Sequence, residues 1–223
     1  GEYSALCAAK AISLGDSAKL LRRRGIAMQS CVKAGEGTMA AILGLSANQI
    51  TEVLNEFEGP GICQIANDND PNQVVISGHC IAVSEVIELA KKKGARRALP
   101  LNVSAPFHCK LMAPAAEIMK ETLASIKIIK PRVPIIMNTR AEVVVEPEQI
   151  REFLVDQIIE TVRWRETIAY IYDHGVSAFY EIGSGKVLSG MVKRVVGDSK
   201  TVSISSYKDI LELIEDENIE NVK

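Results

Sequence analysis

The chain has 223 residues, 47% of them apolar and 24% charged, which excludes a disordered chain, a collagen and a disulfide-stapled miniprotein. With 26 Lys plus Arg against 28 Asp plus Glu, the net charge of -2 supplies no global pull toward nucleic acid or acidic lipid, and no stretch approaches the roughly 18 apolar residues of a membrane span. Five cysteines (Cys7, Cys31, Cys63, Cys80, Cys109) form no C-x-x-C pair and only three histidines are present, so the expectation is a cytoplasmic protein with reduced thiols and no metal site.

The chain opens on Gly1-Glu2-Tyr3-Ser4-Ala5-Leu6-Cys7-Ala8-Ala9, which enters small and apolar residues at helical spacing without a cap. That is expected of a chain truncated inside the first turn of a helix. Two helices are predicted before Lys33, divided at Leu14-Gly15-Asp16, with Asp16 or Ser17 capping the second. The second is expected to end in Arg22-Arg23-Arg24 ahead of Gly25, where cations match the helix dipole.

A strand at 39–45 follows Gly35-Glu36-Gly37, and Ser46 then caps a helix to about Phe57. Strands at 62–67 and 73–78 flank the turn-rich Asp68-Asn69-Asp70-Pro71-Asn72. Val83, Val86, Ile87 and Ala90 mark a helix over 81–93, and 96–103 is extended. Strand, helix, strand, strand, helix, strand is the ferredoxin-like split β-α-β pattern.

From Ser104 onward the chain alternates helices (113–126, 147–157, 163–174, 185–196, 209–217) with strands (134–138, 178–182, 202–205). This alternation predicts a parallel sheet with right-handed crossovers. The acidic tail after Glu212 reads as a solvated helix end. The expected fold is α/β: a parallel-sheet body of residues 1–36 and 104–223, its early part missing, carrying an inserted ferredoxin-like subdomain of residues 37–103. A cleft between them is the default ligand site.

His108 stands in Val103-Ser104-Ala105-Pro106-Phe107-His108-Cys109, where the insert returns to the main sheet. Its place on a Pro-containing loop at a domain junction makes it a candidate general base. Cys109 beside it points to the opposite face and is not read as a nucleophile. Gly183-Ser184-Gly185-Lys186 lacks the spacing of a phosphate loop and reads as a tight strand-to-helix turn. Lys91-Lys92-Lys93-Gly94-Ala95-Arg96-Arg97 has two readings, a dipole-matched helix end or a patch for phosphate or an acidic partner protein.

Taken in order, several segments resemble the malonyl-CoA:acyl carrier protein transacylases of type II fatty acid synthesis. They are Gly1-Glu2-Tyr3-Ser4-Ala5-Leu6, Arg23-Arg24-Gly25-Ile26-Ala27-Met28-Gln29, Met39-Ala40-Ala41-Ile42-Leu43-Gly44-Leu45 and Ile65-Ala66-Asn67-Asp68-Asn69. Gln73-Val74-Val75-Ile76-Ser77-Gly78, Ala105-Pro106-Phe107-His108, Val162-Arg163-Trp164 and Glu181-Ile182-Gly183-Ser184-Gly185-Lys186-Val187-Leu188-Ser189-Gly190 complete the set. The resemblance spans essentially the whole chain and implies an α/β-hydrolase-like body.

It also implies double displacement, with malonyl-CoA and acyl carrier protein as partners and no metal or redox cofactor. The family's nucleophile is the serine of a Gly-His-Ser-Leu-Gly-Glu-Tyr elbow, whose second glycine matches Gly1, so that serine is expected just upstream. The 223-residue chain by itself is then expected to be inactive, since Ser4 falls within the helix after the elbow.

The resemblance makes His108 the base, oriented by the backbone carbonyl of Gln157, and makes Arg24 the clamp for the free malonyl carboxylate. Phe107 corresponds to the position favouring malonyl over bulkier groups, and Asn69, Gln73 and Arg97 to the approach of coenzyme A. Ser184 stands where proline is frequent, without catalytic consequence. A non-catalytic module binding carrier protein or coenzyme A, and a thioester hydrolase of the same fold, remain as other classes; Arg24 argues against the hydrolase.

Overall fold

The computed structural model describes residues 1–197 and 199–220. The chain forms two compact units, Gly1–Thr167 and Ile168–Lys223, with the boundary inside one helix.

In the first unit, α1 (Glu2–Ala8) buries Tyr3 and Leu6. Ser13, one residue ahead of the expected break, caps α2 (Leu14–Ser30): its Oγ accepts the Asp16 N–H at 3.0 Å and donates to the Asp16 carboxylate at 2.7 Å. Neither Asp16 nor Ser17 is the cap. The helix also does not stop at Arg24 but runs through Gly25 to Ser30. A helical glycine costs about 1 kcal/mol relative to alanine. Beyond it Ala27 and Met28 are each 2% exposed in the core, and burial of a side chain such as Met contributes about 1.5–3 kcal/mol. Tertiary burial wins, and the three arginines lie too far from the helix end to answer its dipole.

The core of α1 and α2 is completed by α5 (Ala113–Ala124), α6 (Pro147–Asp156) and the hairpin of β5 (Ile135–Met137) with β6 (Glu142–Val144). Leu6, Leu20, Met112, Met119, Leu123, Met137, Ile150, Leu154 and Ile158 are fully buried there. The hairpin is antiparallel, closed by a turn in which Ala141 has φ 54°, so the strand expected at 134–138 does not join a parallel sheet.

The rest of the first unit is a four-stranded sheet in the order β2-β3-β1-β4, with β1 Gly37–Leu43, β2 Cys63–Asp70, β3 Gln73–His79 and β4 Arg97–Pro100. Every neighbouring pair is antiparallel. Period-2 alternation sorts β1 between two cores. Ala40 and Ile42 face α3 (Ala47–Asn55) and α4 (Cys80–Lys92), while Met39 and Ala41 meet Ala66, Val75 and the Phe107 ring on the other side. Ser46 and Gln49 close a capping box at the start of α3.

The expected turn at 68–72 is narrower, because Asp68, Asn69 and Asp70 belong to β2. Asp70 Oδ1 accepts the Asn72 N–H at 2.9 Å and makes the turn. Across the strand, the Asp68 N–H donates to the Val162 carbonyl and the Val162 N–H to the Ala66 carbonyl.

Helix α7 (Trp164–Asp173) spans the boundary into the second unit. There β7 (Ala178–Ile182) and β8 (Lys200–Ile204) pair in parallel, joined through α8 (Val187–Val196) and followed by α9 (Tyr207–Glu220). The acidic tail is helical to Glu220; its last three residues lie outside the described ones. The Gly183-Ser184-Gly185-Lys186 turn has glycines at φ 147° and 92°. The Glu181 carboxylate accepts the N–H groups of Leu188 (3.1 Å) and Ser189 (2.7 Å). An acidic side chain therefore occupies the helix N-terminus where a phosphate would have to sit.

Candidate active site

The loop after β4 is fixed from both sides before it presents His108. A Cβ on Gly37 would lie 2.4 Å from Pro106 Cγ, so only glycine lets the β1 strand lie against that ring. Phe107 packs against both the helical core and the open face of the sheet. Cys109 is fully buried, its Sγ 3.1 Å from the Pro106 carbonyl, and burial raises its thiol pKa, which suits structure and not nucleophilicity. The Lys110 N–H donates to Gln64 Oε1 at 2.7 Å. Between these anchors His108 adopts φ 58°, a left-handed conformation in which histidine is enriched among non-glycine residues.

His108 Nδ1 lies 2.7 Å from the carbonyl oxygen of Gln157 at the end of α6. A carbonyl can only accept, so Nδ1 carries the proton and Nε2 offers a lone pair. Burial, reinforced by the Arg24 cation, pushes the imidazole pKa down to about 4 against the opposing hydrogen bond to the Gln157 carbonyl. The ring is thus neutral at pH 7 and competent to accept a proton.

Gln157 is 9% exposed, and its side chain reaches the other way. Arg24 Nη2 donates to Gln157 Oε1 at 2.6 Å, while Gln157 Nε2 stands 3.5 Å from Asn138 Oδ1. The Asn138 N–H donates to Glu2 Oε1 at 2.7 Å. Burial pushes the Glu2 carboxyl up to about 7 and the Tyr3 hydroxyl to about 12, and it lowers the Arg24 pKa. Arg24 Nε is buried and makes no hydrogen bond.

Three of the expected residues, His108, Gln157 and Arg24, therefore meet through direct contacts, with Phe107 next to His108. Asn69, Gln73 and Arg97 do not join them. Gln73 and Arg97 both lie opposite Leu43, at the far end of β1 from Gly37. Six residues of strand separate that end from the Pro106 contact, about 20 Å. Asn69 lies on β2 beside the same end and is buried.

In the basic cluster at the end of α4, Lys91 pairs with Glu88 at 2.7 Å and Lys93 with Glu56 at 2.5 Å. Glu2, Asn138 and the side chain of Gln157 were not singled out by sequence; the available signal was a carboxylate in an otherwise small and apolar helical start. Among the described residues no cluster of three or more His, Cys, Asp or Glu could hold a metal ion, and no helix is long and apolar enough to cross a membrane.

Residues 1–215 match the family described as acyl transferase domain. The malonyl CoA-acyl carrier protein transacylase of Bacillus subtilis (strain 168) is 46% identical over 222 residues, covering 98% of this chain and 70% of that protein. The transacylase of the same name from Escherichia coli (strain K12) is 42% identical over 203 residues, covering 91% and 65%. The chain thus spans between 65% and 70% of the length of these two curated relatives.

Among solved structures, the acyl-carrier-protein-S-malonyltransferase of Bartonella henselae superposes with a TM-score of 0.92 at 47% identity, over 96% of this chain and 68% of that one. A malonyl-transacylase in complex with its type II PKS acyl-carrier protein superposes with a TM-score of 0.93 at 38% identity, over 97% and 70%.

Proposed function

We propose, from the premise that this chain belongs to the acyl transferase domain family, that the protein moves a malonyl group from coenzyme A to the phosphopantetheine thiol of an acyl carrier protein. The observation that carries the proposal is the joint geometry of a neutral, tautomer-fixed His108 and a guanidinium, both held by Gln157. A base alone would suit any acyl transfer; a base beside Arg24 suits a thioester whose acyl group ends in a carboxylate. The names of the curated relatives support the same reading.

The nucleophile is the serine that the resemblance expects just ahead of Gly1. His108 Nε2 takes the serine proton as the oxygen attacks the thioester carbon, and the same proton passes to the departing coenzyme A sulfur. In the second half His108 takes the proton of the carrier's thiol, which attacks the acyl-serine, and returns it to the serine oxygen. The carbonyl of Gln157 does the work that a carboxylate does in a Ser-His-Asp triad, holding the ring while it cycles through its charged form. Both halves exchange one acyl bond for another, so no metal or redox cofactor is assigned.

We assign Phe107 as the wall that disfavours bulkier branched acyl groups, a role supported by its position beside His108 and its packing against both cores. Gln73 and Arg97, with Asn69 buried beside them, are assigned to the approach of the nucleotide end of an extended coenzyme A at the far end of the sheet; the positive charge of Arg97 and the exposure of its side chain support this. The reading divides the chain into an α/β-hydrolase-like body, residues 1–36 and 104–223, and a ferredoxin-like insert, residues 37–103. The β2-β3-β1-β4 order of antiparallel strands with two helices on one face supports the insert. Five free cysteines support placement in the cytoplasm.

The test is rapid-quench measurement of malonyl-enzyme formation in the natural full-length protein, with and without His108→Ala. Removal of a general base slows this step by about a hundred- to ten-thousand-fold. A burst of normal rate in the variant would remove His108 from the chemistry.

A further inference from the structure

We infer that the side chain of Gln157 is a positioning residue for Arg24, so that a single residue aligns both arms of the site: its main-chain oxygen sets the base and its amide oxygen aims the carboxylate clamp. The inference rests on the reading of Arg24 given above and adds a residue through which that selectivity is set.

The contact is short and charge-assisted, 2.6 Å from Arg24 Nη2 to Gln157 Oε1. It also crosses 133 residues of sequence, so the local pattern of α2 does not produce it. The sense of the amide is determined by its surroundings: Arg24 can only donate, which places oxygen on its side and turns Nε2 toward Asn138 Oδ1. Asn138 is held in turn, since its N–H ends on Glu2 Oε1 at 2.7 Å and its carbonyl accepts from the Arg163 N–H at 2.9 Å. Three separate segments thus brace the one amide that meets the guanidinium.

The neutrality of the brace matters as much as its position. An arginine has five N–H donors; the amide engages one and the Nε–H is buried, which leaves three on the two terminal nitrogens for a substrate carboxylate. An amide aims the guanidinium without cancelling its charge. A carboxylate at the same place would form the ion pair itself and repel the incoming malonyl group. An unbraced arginine would have to lose its side-chain freedom at each binding event.

The experiment compares kcat/KM for malonyl-CoA and acetyl-CoA in the full-length protein and in Gln157→Met, Gln157→Glu and Arg24→Ala. Gln157→Met keeps length and the main-chain carbonyl but removes the acceptor, and should lower the malonyl-to-acetyl ratio about tenfold. Gln157→Glu should lower it further, because a competing anion now faces Arg24. In Gln157→Met the acidic limb of the pH profile for acetyl transfer should stay in place, because the carbonyl that orients His108 and the Arg24 charge near it are both unchanged; in Gln157→Glu the new anion offsets that charge and should move the limb to higher pH.

A purely structural role for Gln157 predicts a different result, equal losses for both substrates, and that outcome overturns the inference. If Arg24→Ala collapses the ratio while both Gln157 variants keep it, the brace is refuted and the clamp stands. If Arg24→Ala keeps the ratio, the clamp reading itself falls. Should Gln157→Met fail to fold by circular dichroism, Gln157→Asn supplies the test: it draws the amide back by one methylene and should also lower the ratio, with an unchanged ratio counting against the brace.

Discussion

Replacing Arg24 by alanine isolates the charge on which the proposed selectivity depends. The site sits mid-helix in α2, where alanine is the best helix former, so the backbone is not the casualty. Two other losses follow. Gln157 Oε1 forfeits its 2.6 Å donor in a nearly buried position, which costs about 1–3 kcal/mol of stability. The malonyl carboxylate forfeits its counter-charge in a partly desolvated site, and truncating one member of such a pair costs roughly 2–5 kcal/mol, about thirty- to several-thousand-fold in rate.

Only the second loss distinguishes substrates. Malonyl and acetyl thioesters share the reacting carbonyl and differ by one carboxylate, so malonyl kcat/KM should fall by that factor while acetyl kcat/KM is spared or rises. Arg24→Lys should recover part of it, because an ammonium restores charge without the planar fork. Steady-state assays of both substrates with wild type and both variants give the ratio directly. An equal fall for both substrates in Arg24→Ala would make Arg24 a scaffold residue and not a carboxylate clamp.

Two further outcomes are expected. Glu2 and His108 titrate against each other. The raised pKa of Glu2, about 7 against 4.5, gives stability that is full below pH 4.5 and lost as pH rises toward 7. The lowered pKa of His108, about 4 against 6.5, gives stability that is full above pH 6.5 and lost as pH falls toward 4. Between pH 4.5 and 6.5 the two slopes oppose, so Glu2→Gln should make unfolding by urea more sensitive to acid than in wild type; parallel profiles would count against a buried, protonatable Glu2. Exchanging Lys91, Lys92 and Lys93 together for alanine should raise the apparent Michaelis constant for an acidic carrier protein, mostly at low salt. If it is unchanged at low ionic strength, the Glu88 and Glu56 pairings describe all that the cluster does.

What could be read from sequence was local. The Ser46 cap, the helical stripe Val83-Val86-Ala90 and the strands beside it carry their signals within one element; the box that Gln49 closes and the strand order are seen only in the structure. What could not be read was decided at a distance. Asp68-Asn69-Asp70 has turn composition, yet it is strand: Asp68 is gripped by Arg165 Nε and Nη2 at 3.1 and 2.8 Å, 97 residues away. Gly25 reads as a stop, but the core takes Met28 beyond it. The hairpin strand Glu142–Val144 is too short to register as periodicity. Within the site, the resemblance supplied His108, Arg24 and the Gln157 carbonyl. The Glu2–Asn138 contact spans 136 residues and has no local pattern to betray it.

The left-handed backbone at His108 bears on how any replacement there is interpreted. A β-carbon is disfavoured in that region by roughly 1–2 kcal/mol, and asparagine and aspartate offset this through local hydrogen bonding where alanine cannot. Alanine at 108 therefore removes the imidazole and also loosens a loop that Pro106 and Cys109 otherwise hold. Part of its deficit will be a shrinking fraction of correctly folded enzyme. Asparagine at 108 removes the proposed base with the backbone preference kept, so the difference between the two variants separates the chemistry of the ring from the mechanics of the loop that carries it.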